Sequence, residues 1–386
     1  MKTAVINAKI VTAEKIIENG VCVYEDGVIQ YVGTEPQKCD KVIDAAGEYL
    51  IPGFVDLHCH GGGGLEFMDA DEDGFSEIAR FHLSHGTTTM LATTLAASAE
   101  ETDKALKTFR KYSDKNMGGT LVGVHLEGPW LNPLQCGAQN VAHMKAPDAR
   151  ELRRLKKEYP FILRVSAAPE LAGGYEFGRV GEELGIVMSA AHTDADFQEI
   201  EKASQNGYRL MTHLYSGMKG VCRKNSFRIA GAVEAGLYLD CMFVEIIADG
   251  RHLPKELLKF IYKCKGAEGI CLITDAIRAS GMPNGAKTFI GSLKNGLPVI
   301  VEDEVAKLPD RQSFAGSTAT ADRLYRTMAE AIGRDMVALS KMASLTPANL
   351  MGLTDRGEIA VGKRADLLII NENLYLKKII FKGDLL

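Results

Sequence analysis

Short apolar segments alternate with helical patterns from residue 54 to residue 274, and this alternation constrains the fold more than any other feature of the sequence. The apolar segments have the length of buried strands. Strands that are apolar on both faces and alternate with helices form a parallel sheet covered by helices. The predicted strands span residues 54–57, 87–91, 119–125, 161–167, 186–190, 208–213, 240–247 and 269–274. Eight such units predict an α/β fold, a closed (β/α)8 TIM barrel.

Both ends of the chain have a different pattern, in which short β-like segments are separated by turn residues. These segments span residues 3–6, 21–25, 28–32, 41–44, 357–362, 365–370 and 376–381. Neither end is long enough to bury a core of its own. We therefore expect the two ends to form one small β domain together, which the chain leaves near Pro52 and re-enters near Arg356.

The composition argues against several classes of function. A net charge of −5, without any run of five basic residues, argues against a nucleic-acid partner. We expect no membrane partner, because the sequence contains neither an apolar stretch of about 18 residues nor a secretory signal. The eight cysteines form no C-x-x-C pair, which is typical of reduced thiols. These features predict a cytoplasmic protein.

The first predicted barrel strand ends in a histidine pair, His58 and His60, which is followed by the glycine run 61–64. Alternate side chains of a strand point to the same face, so the two imidazoles share one side. Two imidazoles at a strand end can hold one metal ion, and the glycines allow a ligand to approach closely. The alternative is a pair of solvated or hydrogen-bonded loop histidines.

Further metal-binding side chains follow other predicted strands. His125 and Glu127 follow one another on one face of the third strand, His192 follows the fifth, His213 ends the sixth and Asp275 follows the eighth. The C-terminal ends of barrel strands meet at one mouth, where active sites lie. These side chains should therefore converge with the histidine pair, and the set suits Zn²⁺ or a similar ion, with enough ligands for two. We expect His125 to support the ligands from behind.

Each of these residues also has a structural alternative. His192 or His213 could be a hydrogen-bonded core histidine, and Asp275 could cap a helix. Glu127 is harder to explain in this way, because an unpaired carboxylate inside a barrel mouth is costly. The coincidence of strand ending and ligand type at several positions favours a metal site.

Several motifs carry a resemblance to a known family. They read PGFVDLHCHG, HLEGPWLNP, SAAHTDAD, MTHLYSGM, IADGRH, LITDAI and GEIAVGKRADL, and they are spread over nearly the whole chain. They resemble the N-acetylglucosamine-6-phosphate deacetylases of the amidohydrolase superfamily. The resemblance implies a barrel of residues 52–355 and a small β-sandwich formed by residues 1–51 and 356–386. It also implies a homodimer.

The resemblance implies roles for individual residues. Glu127, His192 and His213 match the main metal ligands, while His58 and His60 match a second-metal pair that some members lack. A divalent ion is thus implied, Zn²⁺ or alternatively Fe²⁺, with one or two ions per chain. Asp275 matches the catalytic acid/base, and His252 matches a contact to the substrate phosphate. Ala315 and Gly316 match a loop that touches the sugar.

The chain departs from the family on the substrate side. Gln139 stands where the family has a histidine, and Ser216 with Gly217 replaces an Asn-Ala pair. Lys224 and Arg228 lie near the position of an arginine that grips the phosphate. We count all of these as substrate-binding candidates. Changes confined to this side predict retained hydrolysis with altered specificity.

The predicted activity is removal of the N-acetyl group from an amino sugar phosphate, giving glucosamine 6-phosphate and acetate from N-acetylglucosamine 6-phosphate. An alternative is a related hydrolase for an unphosphorylated or different N-acyl amino sugar, or for a cyclic amide. Cyclic-amide relatives often carry a bridging lysine after strand four, where this chain has Ser166 to Pro169. A further alternative is a sugar-phosphate-binding scaffold without catalysis.

Overall fold

The computed structural model describes residues 1–115 and 119–386, and within these ranges eight parallel strands form a barrel sheet. The strands follow one another around the sheet in chain order. They are Phe54–Cys59, Thr87–Thr93, Leu121–Glu127, Ile162–Ala167, Val187–Ala190, Tyr208–Met211, Phe243–Ile246 and Ile270–Leu272. The first and last strands meet through backbone hydrogen bonds of 2.8 Å, from Asp275 N–H to the His58 carbonyl and from His60 N–H to the Ala276 carbonyl. The predicted TIM barrel is confirmed.

Helices cover the outside of the barrel. They span Glu72–Leu83, Ala99–Lys115, Ala149–Glu158, Gly174–Glu183, Phe197–Ser204, Ala232–Tyr238, Lys255–Lys265 and Ala321–Ile332, followed by Met336–Ser340 and Thr346–Leu350. Local sequence explains where they begin. Asp148, for example, accepts the Arg150 backbone N–H at 2.9 Å, which satisfies a free donor at the helix start. That helix then buries Leu152 and Leu155 against the barrel.

The strands of the two chain ends form a separate sheet, as predicted. They span Thr3–Val11, Ile16–Glu25, Val28–Gly33, Lys41–Asp44, Tyr49–Pro52, Leu367–Ile370, Leu376–Phe381 and Asp384–Leu385. Tyr49–Pro52 pairs antiparallel with Leu367–Ile370, which joins the two ends. The sheet has an apolar core of its own that includes Ile10. The residue boundaries between this part and the barrel stay a prediction.

The segment 357–362 is not a strand, contrary to the sequence prediction. Gly357 and Gly362 adopt φ values of 92° and 88°, and a left-handed backbone cannot continue a strand. The segment instead bonds to an N-terminal strand through Gly362 N–H and the Ile29 carbonyl, 2.8 Å apart.

A small antiparallel sheet, which we call the flap sheet, was not predicted. It consists of Lys287–Ile290, Leu297–Glu302 and Val305–Lys307, inserted after the last barrel strand. An exposed hairpin, Cys222–Lys224 with Phe227–Ile229, is a further insertion. Both are short and partly solvated, so neither has the continuous apolar pattern that marks the barrel strands.

All eight cysteines lie within the described residues, and each is a free thiol. None of the helices in the described ranges is both long and apolar enough to cross a lipid bilayer.

Candidate metal centre

The predicted metal ligands lie together at the C-terminal mouth of the barrel. All are buried, and each comes from a strand end or from the residues directly after it: His58, His60, Glu127, His192 and His213. Among the described residues they form two groups whose ligand atoms lie within 4.8 Å of one another. One group is His58, His60 and Glu127, and the other is Glu127, His192 and His213.

Glu127 belongs to both groups, and its two carboxylate oxygens face different histidines. Oε1 lies 2.9 Å from His213 Nε2 and 3.3 Å from His192 Nε2. Oε2 lies 3.3 Å from His60 Nε2 and 3.6 Å from His58 Nε2. A carboxylate placed in this way can bridge two cations. Nitrogen and oxygen atoms that converge in a buried site are the ligand chemistry of Zn²⁺ and similar ions, so the residues fit a divalent metal.

In two of the histidine ligands, Nδ1 contacts a group outside the cluster, and this contact fixes the direction in which Nε2 points. His192 Nδ1 donates to the Gln135 carbonyl at 2.7 Å, so its Nε2 faces Glu127. His58 Nδ1 lies 3.3 Å from Glu245 Oε2, and its Nε2 lies 3.2 Å from His60 Nε2. Such contacts orient metal-binding histidines.

The charges of the cluster are strongly coupled. Burial lowers the pKa of both histidines of the first group, but Glu127 and Asp275 outweigh it and raise the pKa of His58 to about 9 and that of His60 to about 10. Burial would raise the pKa of Glu127, yet His58, His192 and His213 hold it well below the usual range. Without a cation, protons on His58 and His60 balance the carboxylates. A metal ion would replace those protons.

Asp275 lies beside the first group. Its Oδ1 is 3.1 Å from His60 Nε2 and 3.5 Å from His58 Nε2. Burial would raise its pKa, but His58 and His60 outweigh burial and keep the pKa below its usual value. The carboxylate is therefore ionised at neutral pH and can accept a proton.

Backbone conformation at the mouth is unusual. His192, His213 and Asp275 have φ values of 43°, 31° and 48°, in the left-handed region. Residues with side chains adopt this region rarely, and such strain is concentrated at functional sites. The chain turns sharply where these strands end, and the three side chains reach the mouth from those turns.

A cavity of about 200 Å³ opens above the metal ligands. Of the predicted substrate-binding residues, some line the cavity: Gln139, Ser216, Gly217, His252 and Gly316. Ala315 is buried in an apolar cluster instead. Lys224 and Arg228 lie on the exposed hairpin and do not line the cavity.

Gln139 is held in one orientation. Its Oε1 accepts the Ala96 backbone N–H at 2.8 Å, and its Nε2 therefore donates to Glu127 Oε2 at 2.5 Å. His252 is held by the Asp249 carboxylate, 2.8 Å from its Nδ1, and its ring packs on Phe314 at 4.8 Å between centroids. Both residues present fixed polar groups at the cavity.

Sequence reasoning missed a layer of buried polar residues beneath the metal ligands. Arg164 and Glu245 are fully buried and form an ion pair across the barrel. Glu245 also accepts the His213 backbone N–H at 3.3 Å. On the same layer, Asp56 accepts the Thr274 hydroxyl at 2.5 Å. The available signal was a charged residue inside an otherwise apolar strand, since a buried charge requires a partner.

His125 also lies in this layer. Its Nε2 is 2.7 Å from Ser166 Oγ, and its ring contacts the His58 ring edge-on, with 4.7 Å between centroids. His82, to which the sequence assigned no role, is buried and lies 2.9 Å from the Gly61 carbonyl. Neither histidine belongs to the ligand groups found among the described residues.

Comparisons with known proteins agree with this geometry. The amidohydrolase family model matches residues 49–386. N-acetylglucosamine-6-phosphate deacetylase of Lysinibacillus sphaericus is 33% identical over 343 residues, which cover 88% of this chain and 86% of that protein. The Thermotoga maritima N-acetylglucosamine-6-phosphate deacetylase structure has a TM-score of 0.88 and 34% identity, covering 99% of both chains. A Mycobacterium smegmatis deacetylase mutant in complex with N-acetyl-D-glucosamine-6-phosphate has a TM-score of 0.90 and 28% identity, covering 100% of this chain and 98% of that one.

Proposed function

The chain belongs to the amidohydrolase family and, within it, to the N-acetylglucosamine-6-phosphate deacetylases, and from this premise we propose that it removes the N-acetyl group of an amino sugar phosphate. The proposed reaction converts N-acetylglucosamine 6-phosphate to glucosamine 6-phosphate and acetate. The observation that carries the proposal is Glu127, which lies between two groups of histidines beneath the cavity, with Asp275 3.1 Å from His60.

The metal centre has defined roles in this proposal. Glu127, His192 and His213 would hold the main divalent ion, while His58 and His60 would complete a second position with Glu127. The histidine-rich ligand set favours Zn²⁺ over Mg²⁺ or Ca²⁺, with Fe²⁺ as the alternative. Such an ion would lower the pKa of water towards about 7 and polarise the acetyl carbonyl.

Asp275 is the proposed acid/base. Its carboxylate, which lines the cavity, accepts a proton from the attacking water, because an aspartate is ionised at neutral pH. It then delivers that proton to the nitrogen of the departing amine, which is a poor leaving group when unprotonated. One buried carboxylate at the cavity floor can serve both steps in turn.

The substrate side is proposed to bind the sugar through polar groups of the cavity wall. Gln139 Nε2 is a donor beside Glu127 and can also reach the acetyl carbonyl. Ser216, His252 and the backbone of Gly217 and Gly316 suit sugar hydroxyls or a phosphate. Ala315, Lys224 and Arg228 stay candidates from the sequence.

A second candidate is hydrolysis of an N-acetylated amino sugar without phosphate. Among the described residues that line the cavity, none is lysine or arginine, although cations are the usual partners of phosphate. This observation favours the altered specificity that the sequence predicts.

The proposal also includes the oligomeric state and location expected from the sequence, which are a homodimer in the cytoplasm.

The test measures acetate release by the Zn²⁺-loaded protein from N-acetylglucosamine 6-phosphate and from N-acetylglucosamine. We expect turnover that stops on chelation and returns with Zn²⁺. A large preference for the phosphate would exclude the second candidate. Binding of both sugars without acetate release would refute deacetylation and support a scaffold.

A further inference from the structure

A side chamber of about 30 Å³ lies next to the main cavity. Leu95, Ala138, Gln139 and Ile290 line both spaces, so they form the junction between them. Gln139 is the junction residue that contacts the metal ligand Glu127. The chamber therefore begins beside the atoms where the acyl carbonyl has to react.

The chemistry of the cavity wall changes from one end to the other. Away from the junction, the wall offers polar groups that suit a sugar, such as Ser216, His252 and Ser313. At the junction, apart from Gln139, it is apolar, with Leu95, Ala138 and Ile290. An N-acylated amino sugar has the same polarity, since the sugar lies on one side of the amide bond and the acyl chain on the other. The acyl chain is thus directed towards the junction.

Beyond the junction, part of the chamber wall is apolar, while Asn140 and His143 add polar groups elsewhere on the wall. Met68, Ala96, Ala97 and Leu297 line the apolar part, and none of them lines the main cavity. A space of about 30 Å³ holds one or two water-sized groups, which corresponds to one or two carbons beyond an acetyl methyl. An apolar chain gains free energy by leaving water here.

Hydrogen-bonded polar residues line another part of the chamber. Glu101 Oε1 accepts Asn295 Nδ2 at 2.7 Å and Ser292 Oγ at 3.2 Å, and all three residues line the chamber. Asn295 is exposed, so a longer apolar chain would reach polar groups and solvent here and would bury no further apolar surface. The apolar part of the chamber therefore has a length limit.

The junction is also held from behind by a buried arginine. Arg278 is 1% exposed, and its guanidinium donates to the Phe289 carbonyl at 2.9 Å and to the Gly291 carbonyl. These carbonyls belong to the residues on either side of Ile290, the last residue of the first flap-sheet strand. Asp69 binds the same guanidinium at 2.9 Å and 3.1 Å. Ile290 is thus fixed to the barrel, and the size of the junction is set by the fold.

We propose that the side chamber is an acyl subsite through which this protein hydrolyses N-acyl amino sugars with chains one or two carbons longer than acetyl. The inference rests on the proposed deacetylase function, and it adds a substrate class to the same site.

The test uses the Zn²⁺-loaded full-length protein and a series of N-acetyl, N-propionyl, N-butyryl and N-hexanoyl sugars, phosphorylated or free according to which acetyl sugar is the better substrate. We expect kcat/KM for the propionyl sugar within about 10-fold of the acetyl sugar, because the added carbon enters an apolar space. We expect kcat/KM for the hexanoyl sugar to be lower by about 100-fold or more, because its acyl chain is longer than the chamber.

Two substitutions change the chamber in opposite directions. Ala97→Leu fills it and should lower the propionyl-to-acetyl ratio of kcat/KM by about 10-fold, the value of one methylene in an apolar pocket. Leu297→Ala enlarges it and should raise the butyryl-to-acetyl ratio by a similar factor. Ala99→Leu is the matched control, because Ala99 lies nearby on the exposed helix start and lines neither space. It should leave both ratios unchanged.

The outcomes separate this inference from the proposed function. Absence of turnover with every acyl sugar would refute the deacetylase function itself. The acyl subsite alone would be refuted if the protein hydrolyses the acetyl sugar but its kcat/KM for the propionyl sugar is more than about 100-fold lower and Leu297→Ala leaves this ratio unchanged. The folding of each variant is checked by its thermal unfolding midpoint. Because the two substitutions change the chamber in opposite directions, a folding defect in one variant still leaves the other to test the proposal.

Discussion

The buried ion pair between Arg164 and Glu245 makes a quantitative prediction for Glu245→Gln. The substitution keeps the shape of the side chain and removes its charge. Both partners are fully buried, and Glu245 Oε2 also lies 2.9 Å from Arg164 Nη2 and 3.3 Å from His58 Nδ1. The variant therefore leaves the guanidinium charge without its partner in the barrel interior. Breaking a buried pair in this way costs about 3–5 kcal/mol in the free energy of unfolding.

The assay is equilibrium urea unfolding of metal-free wild type and variant, compared at equal m-values. The control is Glu182→Gln, which removes the partner of Arg209 at the surface, where the side chains are 46% and 63% exposed respectively. An exposed pair contributes at most about 1 kcal/mol. A Glu245→Gln effect as small as that of the control would show that the barrel interior does not need this charge.

The stability difference between wild type and Glu245→Gln should depend on pH in a defined direction. Burial would raise the pKa of Glu245, but Arg164 and His58 outweigh burial and lower it. A carboxyl whose pKa is lowered in the folded state contributes stability that is present above its unfolded pKa of about 4.3. Glu245 also helps to raise the pKa of His58 to about 9, and stability from a raised histidine pKa is fully present only below the unfolded pKa of about 6.5. The difference between wild type and Glu245→Gln should therefore grow as the pH falls from 9 to about 6.5 and shrink once the pH falls below about 4.3.

The metal centre supports further predictions. Asp275→Asn should retain its metal but lose about 10²–10⁴-fold in kcat, because an amide cannot accept the proton; metal analysis and turnover on the same sample check this, and normal turnover would contradict the assigned role. His213→Ala should lose both metal and activity, as metal analysis of the purified variant will decide. His60→Ala should reduce the metal content at saturation from two ions to one per chain, and one ion in both proteins would count against a binuclear centre. Metal binding at His58 and His60 should weaken as the pH falls from 9 to 6, because raised pKa values mean that protons compete with the metal; titration calorimetry at several pH values measures this, and a pH-independent affinity would contradict it.

The barrel could be predicted because its signal is local. Every strand is an apolar segment bounded by turn residues, and the ligand residues follow directly in sequence. The convergence of His58, Glu127 and His192 could be predicted because strand ends in a barrel share one mouth. Strand limits were less accurate. The predicted strand 240–247 begins only at Phe243, since Met242 N–H closes a turn with the Leu239 carbonyl.

The features that escaped prediction depend on contacts between distant segments. Arg164 and Glu245 are 81 residues apart, and nothing near either one in sequence identifies its partner. The orientation of Gln139 depends on the Ala96 backbone, on another barrel loop. The flap sheet is partly solvated, so its pattern resembles that of a loop. Left-handed backbone at His213 follows from the packing of the mouth and is not encoded by the residue type.

The pairing of Tyr49–Pro52 with Leu367–Ile370 has a consequence for how the chain is synthesised. The two strands lie about 320 residues apart, so the N-terminal strand leaves the ribosome long before its partner exists. Its backbone donors and acceptors stay open during that time, and closing so long a loop delays the pairing further. The terminal sheet is therefore expected to be completed only after the whole barrel has been synthesised, whereas the barrel units can form as they emerge.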